Sequence, residues 1–117
     1  MAIFKLVEGL TYAAEAGEDL TGDLNKFVKL DSTGKVVLAG ADEKALGTLF
    51  EEAPLAGAAS VQIGGIAKVI ASAAIAAGAR VKVAAGGLAV TGTTNPAGIA
   101  LTAATAANSV IPVALVG

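Results

Sequence analysis

The feature that most constrains this chain is its rhythm: short β-branched runs, each ended within a few residues by a turn former. Such runs occupy residues 2–7, 26–30, 35–38, 47–50, 60–63, 66–70, 80–83, 88–91, 99–101 and 110–116. Gly, Asn, Asp or Pro bounds most of them, and these residues favour turns because they tolerate or preset the backbone angles a turn needs. Asp31-Ser32-Thr33-Gly34 and Ala85-Gly86-Gly87 read as hairpin loops, with Gly34 or Gly87 at positive φ. Short strands spaced by about 8–12 residues indicate an all-β barrel or sandwich. Helix signals are thin. Two Ala-rich windows, 8–20 and 66–79, are candidates, but Gly17 breaks the first, while Ser72 interrupts the second and Gly78 closes it. Neither carries a sustained apolar stripe at the helical period.

The chain also repeats itself. Lys26-Phe27-Val28-Lys29-Leu30, a turn and Gly34-Lys35-Val36-Val37 align with Arg80-Val81-Lys82-Val83, a turn and Gly87-Leu88-Ala89-Val90; Val28 and Val81 are 53 residues apart. Ala45-Leu46-Gly47-Thr48-Leu49 aligns with Pro96-Ala97-Gly98-Ile99-Ala100 at a shift of 51, and residues 56–63 loosely match 107–114. The expected organisation is an N-terminal arm or first strand over residues 1–19, then one all-β domain over 20–117. That domain holds two similar units, about 20–65 and 66–117, with Gly64-Gly65 letting the chain pass between them. Half of this chain buries too little surface to stand alone, so the two units are expected to share one core. Val, Ile, Leu and Ala would fill it, with Phe4, Phe27 and Phe50 as the large aromatics and Tyr12 as the exposed one. Such small side chains predict no ligand cavity.

Composition removes most site chemistry. The 117 residues include no His and no Cys, which excludes imidazole bases, thiol nucleophiles, disulfides and the usual zinc sites. With Ser, Thr, Lys and carboxylates remaining, the expectation is a binding protein rather than an enzyme, with no catalytic residue, cofactor or metal. Eight basic residues against ten acidic ones leave no electrostatic footprint for nucleic acid, and a lone exposed aromatic makes no stacking platform. No small-molecule ligand is expected either. The longest apolar run, residues 69–79, is eleven residues long, whereas a membrane helix needs about 20. Lys5 and Glu8 interrupt the N-terminal apolar stretch, so it does not read as a secretory signal.

Charge is divided unevenly along the chain. Residues 1–54 carry ten acidic and five basic side chains, while residues 55–117 carry only Lys68, Arg80 and Lys82. The last 35 residues have no charge at all. Surfaces designed to face water are about 25–35% charged, so much of this second half is expected to face other protein. Homo-oligomer or assembly component is the first functional inference.

Individual candidates are weaker. Asp42-Glu43 and Glu51-Glu52 are adjacent carboxylates, but neighbours on a strand point to opposite faces and do not converge. Ser60, Ser72 and Ser109 lack a base unless Lys68 serves as one, and nothing local argues for that dyad. Gly64-Gly65 and Gly86-Gly87 are followed by no Gly-Lys-Ser or Gly-Lys-Thr, so they are turns rather than phosphate loops. Ala41-Asp42-Glu43-Lys44-Ala45 resembles the cofactor-bearing hairpin of lipoyl and biotinyl carrier domains, with Glu43 intruding before Lys44. A small carrier domain modified on Lys44 is therefore the alternative reading, and a non-viral homo-oligomeric shell or scaffold component is a further one.

One resemblance covers most of the chain, from about residue 20 to 117. Phe27-Val28-Lys29-Leu30-Asp31, Gly34-Lys35-Val36-Val37, Leu46-Gly47 and Val61-Gln62-Ile63-Gly64-Gly65-Ile66-Ala67-Lys68-Val69, in this order and spacing, resemble the capsid cement proteins of tailed bacteriophages. Ala76-Ala77-Gly78 followed by Arg80-Val81-Lys82-Val83 fits their looser second copy. The resemblance implies a small β-tulip-like barrel or sandwich that decorates the outer surface of the expanded phage head. It implies clamping of neighbouring major capsid protein subunits against internal DNA pressure, often as a homotrimer, after a period in the host cytoplasm before assembly. In that setting residues 1–7 are either a capsid-binding arm, with Ile3, Phe4, Lys5 and Leu6 as anchors, or the first barrel strand. The charge-poor second half would supply contacts between copies, with Ile66, Val69, Ile70, Val110 and Val113 as the interface candidates.

Overall fold

A computed structural model describes residues 11–116 and places ten strands among them. These are β1 (Thr11–Glu15), β2 (Phe27–Leu30), β3 (Val36–Leu38), β4 (Gly47–Glu51), β5 (Ala58–Gln62), β6 (Gly65–Ile70), β7 (Arg80–Ala84), β8 (Leu88–Thr91), β9 (Gly98–Ala100) and β10 (Val110–Leu115). The first five form one antiparallel sheet in the order β1-β5-β4-β2-β3; the last five form another in the order β6-β10-β9-β7-β8. Replacing each strand by the one five places later converts the first order into the second. The expected all-β, two-unit architecture is the observed one, and the repeat in the sequence is a repeat of topology. One 3-10 turn, Ala85–Gly87, forms the second hairpin loop.

Each sheet rolls up on itself. Just past β1, Ala16 makes a parallel bridge to Val36 in β3; just past β6, Ala71 makes the same bridge to Ala89 in β8. Opposite edges of each sheet thus meet, which leaves less unpaired edge to recruit foreign strands. The surrounding hydrogen bonds repeat as well. Ala16 N–H donates to Gly57 O and Gly17 N–H to Val36 O, both at 2.8 Å, as Ala71 N–H does to Ser109 O and Ser72 N–H to Ala89 O. A Cβ on Gly47 would run into the Gln62 carbonyl, and one on Gly98 into the Ala114 carbonyl, so both units need a bare backbone at the start of the fourth strand.

Rolling gives each sheet its own interior. The first holds Ala16, Leu20, Val28, Val36, Leu49, Ala53, Ala59 and Val61. The second holds their counterparts: Ala71, Ile75, Val81, Ala89, Ala100, Ala104, Ile111 and Val113. The expectation of one shared core is corrected accordingly. A sheet rolled this tightly encloses a small interior of its own, lined mainly by aliphatic side chains of the same unit. Phe27 joins the two. Its ring is fully buried in the second core, beside Ala39, although both residues come from the first unit. Ala89 and Ala100 stand where the first core has Val36 and Leu49, so the second interior has space for a ring supplied from outside.

Polar contacts close the same seam. Asp42 N–H donates to Val83 O at 2.9 Å, Asn95 Nδ2 donates to Asp42 O at 2.9 Å, and Lys82 Nζ meets Asp42 Oδ1 at 2.6 Å. Asp42 and Asn95 are repeat counterparts 53 residues apart, and both take positive φ, at 64° and 48°. Gln62 Nε2 donates to Gly64 O at 3.0 Å and to Ile66 O at 2.8 Å, which clamps the Gly64-Gly65 crossing between units.

Neither helix window is a helix within the described residues. Thr11–Glu15 of the first is β1, paired over five rungs with β5, and Gly65–Ile70 is β6, which runs into the second. A short Ala-rich segment gains little as an isolated helix, and a complete ladder of backbone hydrogen bonds outweighs that preference. The first unit therefore starts with β1, upstream of the expected boundary at residue 20. The strand expected over residues 2–7 lies outside the described residues.

Urea unfolding tests the joining role of Phe27. Phe27→Ala is expected to cost about 3–5 kcal/mol. Phe50→Ala, whose ring is exposed, is expected to change stability by about 0.5 kcal/mol or less. Gly47→Ala and Gly98→Ala should each lose roughly 1–3 kcal/mol, because the new methyl group overpacks against backbone.

Candidate functional site

The two units differ most on their outward faces. Side chains alternate along a strand, so β1 and β5 turn three rungs outward: Thr11 opposite Gln62, Ala13 opposite Ser60 and Glu15 opposite Ala58. The equivalent rungs of β6 and β10 are Ile66 opposite Ala114, Lys68 opposite Pro112 and Ile70 opposite Val110. Small and acidic side chains in the first unit become large apolar and basic ones in the second. Val110 is 52% exposed and Leu101, beyond the end of β9, 45% exposed. Arg80 and Lys82 lie on this same face, across β9 from β10. The strands of this face carry no carboxylate of their own, because residues 55–117 contain none; the first unit's Asp42 reaches its border to pair with Lys82.

A groove of about 520 Å³ runs where the two outer faces meet. Its walls are Leu24, Asn25, Thr48, Leu49 and Phe50 from the first unit and Ile66 and Lys68 from the second, with Gln62 between them. The expectation of a buried Phe50 is corrected: Leu49 takes the inward position, and Phe50 points outward at 55% exposure. The irregular register between Leu49 and Glu51 lies at this point. The groove was also not anticipated, since it arises from the angle between two sheets rather than from any local motif.

The candidate residues are dispersed differently from expectation. Ile66, Ile70 and Val110 share the outward face of the second sheet. Val69 and Val113 do not: both are fully buried in the second unit's own core, so they are corrected as interface residues. They occupy inward positions of the same strands, and only alternation along a correct register separates the two sets. Ile3, Phe4, Lys5 and Leu6 lie outside the described residues. Tyr12 is exposed as expected.

The acid–base candidates are engaged in turns and pairs. Glu43 accepts from Lys29 Nζ at 2.7 Å and from Gly40 N–H at 2.6 Å, while Asp42 pairs with Lys82 across the unit seam. Glu51 accepts the Ser60 hydroxyl at 2.7 Å, and Glu52 accepts Gly22 N–H at 2.6 Å. Among the described residues, no hydrogen bond joins Lys68 to Ser60, Ser72 or Ser109, and no ion pair involves Lys44, Lys68 or Arg80. Lys44 is exposed on the connection from β3 to β4, strands separated in the sheet by β2. It is therefore not at a hairpin tip, the position the carrier reading requires. No cluster of three or more potential metal ligands occurs among the described residues, and no helix there is long and apolar enough to cross a membrane.

Comparison with known proteins bears on the fold. No family model matches the sequence, and no curated protein matches it. Among solved structures, the chain is similar to the head fiber gp8.5 N base in bacteriophage phi29, with a TM-score of 0.71. The likeness covers 91% of this chain and 92% of that one at 14% sequence identity. At this identity the shared property is the two-unit β fold.

The turn carboxylates give the fold a pH dependence of known sign. Hydrogen bonding from Lys29, reinforced by Gly40 N–H, lowers the Glu43 pKa; the Thr33 hydroxyl, with the Lys35 and Thr33 amides, lowers that of Asp31. A carboxylate lowered on folding contributes stability above its unfolded pKa of about 4 and loses it as pH falls through the folded value. The urea midpoint should therefore drop on acidification through and below this range. Glu43→Gln should make that drop shallower, and an unchanged acid limb would dissociate Glu43 from it.

Proposed function

We propose that this chain is a non-enzymatic structural protein of a tailed-phage head. It decorates the outer surface of the expanded shell and stabilises it by bridging major capsid protein subunits. The observation that carries the reading is the likeness in fold, over nine-tenths of both chains, to a base domain of a phage head fiber. Three features of the chain agree with it. Its adjacent carboxylates, Asp42-Glu43 and Glu51-Glu52, are engaged in hydrogen bonds and ion pairs, its second unit presents an apolar, basic face, and its sequence resembles the cement proteins in order and spacing.

The physical basis is mass action. A protein that binds the assembled shell but not its dissociated subunits stabilises the shell by its binding free energy. Weak single contacts suffice when a homotrimer engages several subunits at once, because each later contact is intramolecular. Residues 1–7 supply capsid-binding contacts, with Ile3, Phe4, Lys5 and Leu6 as the anchors. The protein resides in the host cytoplasm until the head expands. It needs no cofactor and binds neither nucleic acid nor membrane.

Co-sedimentation with undecorated capsids tests this. Saturable binding to expanded heads and none to unexpanded ones is the expected outcome, with Phe4→Asp weakening binding at least about tenfold, some 1.4 kcal/mol. Absence of binding to either form would remove the decoration role for that capsid.

A further inference from the structure

We infer that the outward face of the second sheet docks on the outward face of the first sheet in another copy of this chain, head to tail. The two faces descend from the same rungs and have diverged in a complementary way. One offers large apolar side chains, Ile66, Ile70 and Val110, beside the cations Lys68 and Arg80. The other offers small side chains, Ala13, Ala58 and Ser60, bordered by the carboxylates of Glu15 and Glu51. A shallow concavity of about 260 Å³ lies beside Ala13 and Ala58 with Glu15 on its wall, a hollow that an apolar knob fills.

Charge selects the partner face. Two copies of the basic face repel one another, and so do two acidic faces, which disfavours symmetric pairing of either face with itself. The pairing of opposite faces brings Lys68 and Arg80, unpaired among the described residues, toward Glu51 and toward Glu15, whose carboxylate already meets Lys35 of its own copy at 3.4 Å. A contact between unlike faces leaves one free face at each end, so it builds a ring when the rotation closes. It forms without any capsid, so its failure and the failure of the head-protein reading are separable.

Sedimentation equilibrium on the purified protein is the test. The wild type should associate with an affinity that falls as salt rises. Val110→Glu blocks the apolar face, and the double variant Glu15→Lys/Glu51→Lys blocks the acidic one. Both alter exposed side chains, so circular dichroism should match the wild type. Each variant alone should be monomeric, with association weakened at least about tenfold. An equimolar mixture should form a heterodimer and nothing larger, since it retains one working contact. A wild type that stays monomeric overturns the inference, as does a Val110→Glu protein that still assembles or a mixture that stays monomeric. A monomeric wild type whose capsid binding is lost in Val110→Glu would assign the face to the shell instead of a second copy.

Discussion

The structure turns on the burial of one aromatic ring across a unit boundary. Phe27 begins a strand of the first sheet, yet its ring completes the core of the second. Without it, the second interior would have Ala89 and Ala100 where the first has Val36 and Leu49, and it would be left underfilled. Close packing makes such a void costly, because side chains around it lose their partners and relax only in part. One residue therefore makes the folding of one unit depend on the presence of the other. The Asp42–Asn95 and Asp42–Lys82 contacts hold the same seam in register. They are exposed or only part-buried, and exposed ion pairs contribute little, so the ring carries the larger share of the coupling.

Duplication accounts for the economy of the rest. Each unit has the same strand order, the same parallel bridge and the same bare-glycine approach at Gly47 or Gly98. A small sheet exposes two edges, and rolling it so that they meet protects both. What the copies do not share is their outward surface. Core positions are held by volume and polarity, whereas outward positions answer only to solvent or to a partner. The counterpart core positions accordingly remain aliphatic in both copies, while Ala13, Glu15, Ala58 and Ser60 correspond to Lys68, Ile70, Val110 and Pro112. That division separates a scaffold held by its packing from an outward surface free to diverge.

The repeat was legible because strands and turns are local. Val28 with Val81, Gly47 with Gly98 and the two hairpin loops announce themselves by residue type and spacing. The first strand was harder. Thr11–Glu15 contains two alanines in five residues, with Ala16 just beyond it, which is weak β signal, and only its ladder to β5 makes it a strand. Val69 and Val113 looked like their neighbours Ile70 and Val110, since composition alone does not say which face of a strand is inward. Phe50 misled for the opposite reason: a large aromatic in a chain with few of them suggests a core, and an irregularity beside Leu49 turns it outward.

Sequence alone determined the fold class, the two-fold repetition and the poverty of reactive groups. These follow from turn residues, alternation and composition, all properties of neighbouring positions along the chain. The tertiary structure decided that there are two cores rather than one, that Phe27 crosses between them, and that the outward faces of the two sheets meet at a groove. Those outcomes depend on how tightly each sheet rolls and at what angle the units abut. Such quantities are set by contacts between residues some 50 positions apart, and no local pattern encodes them.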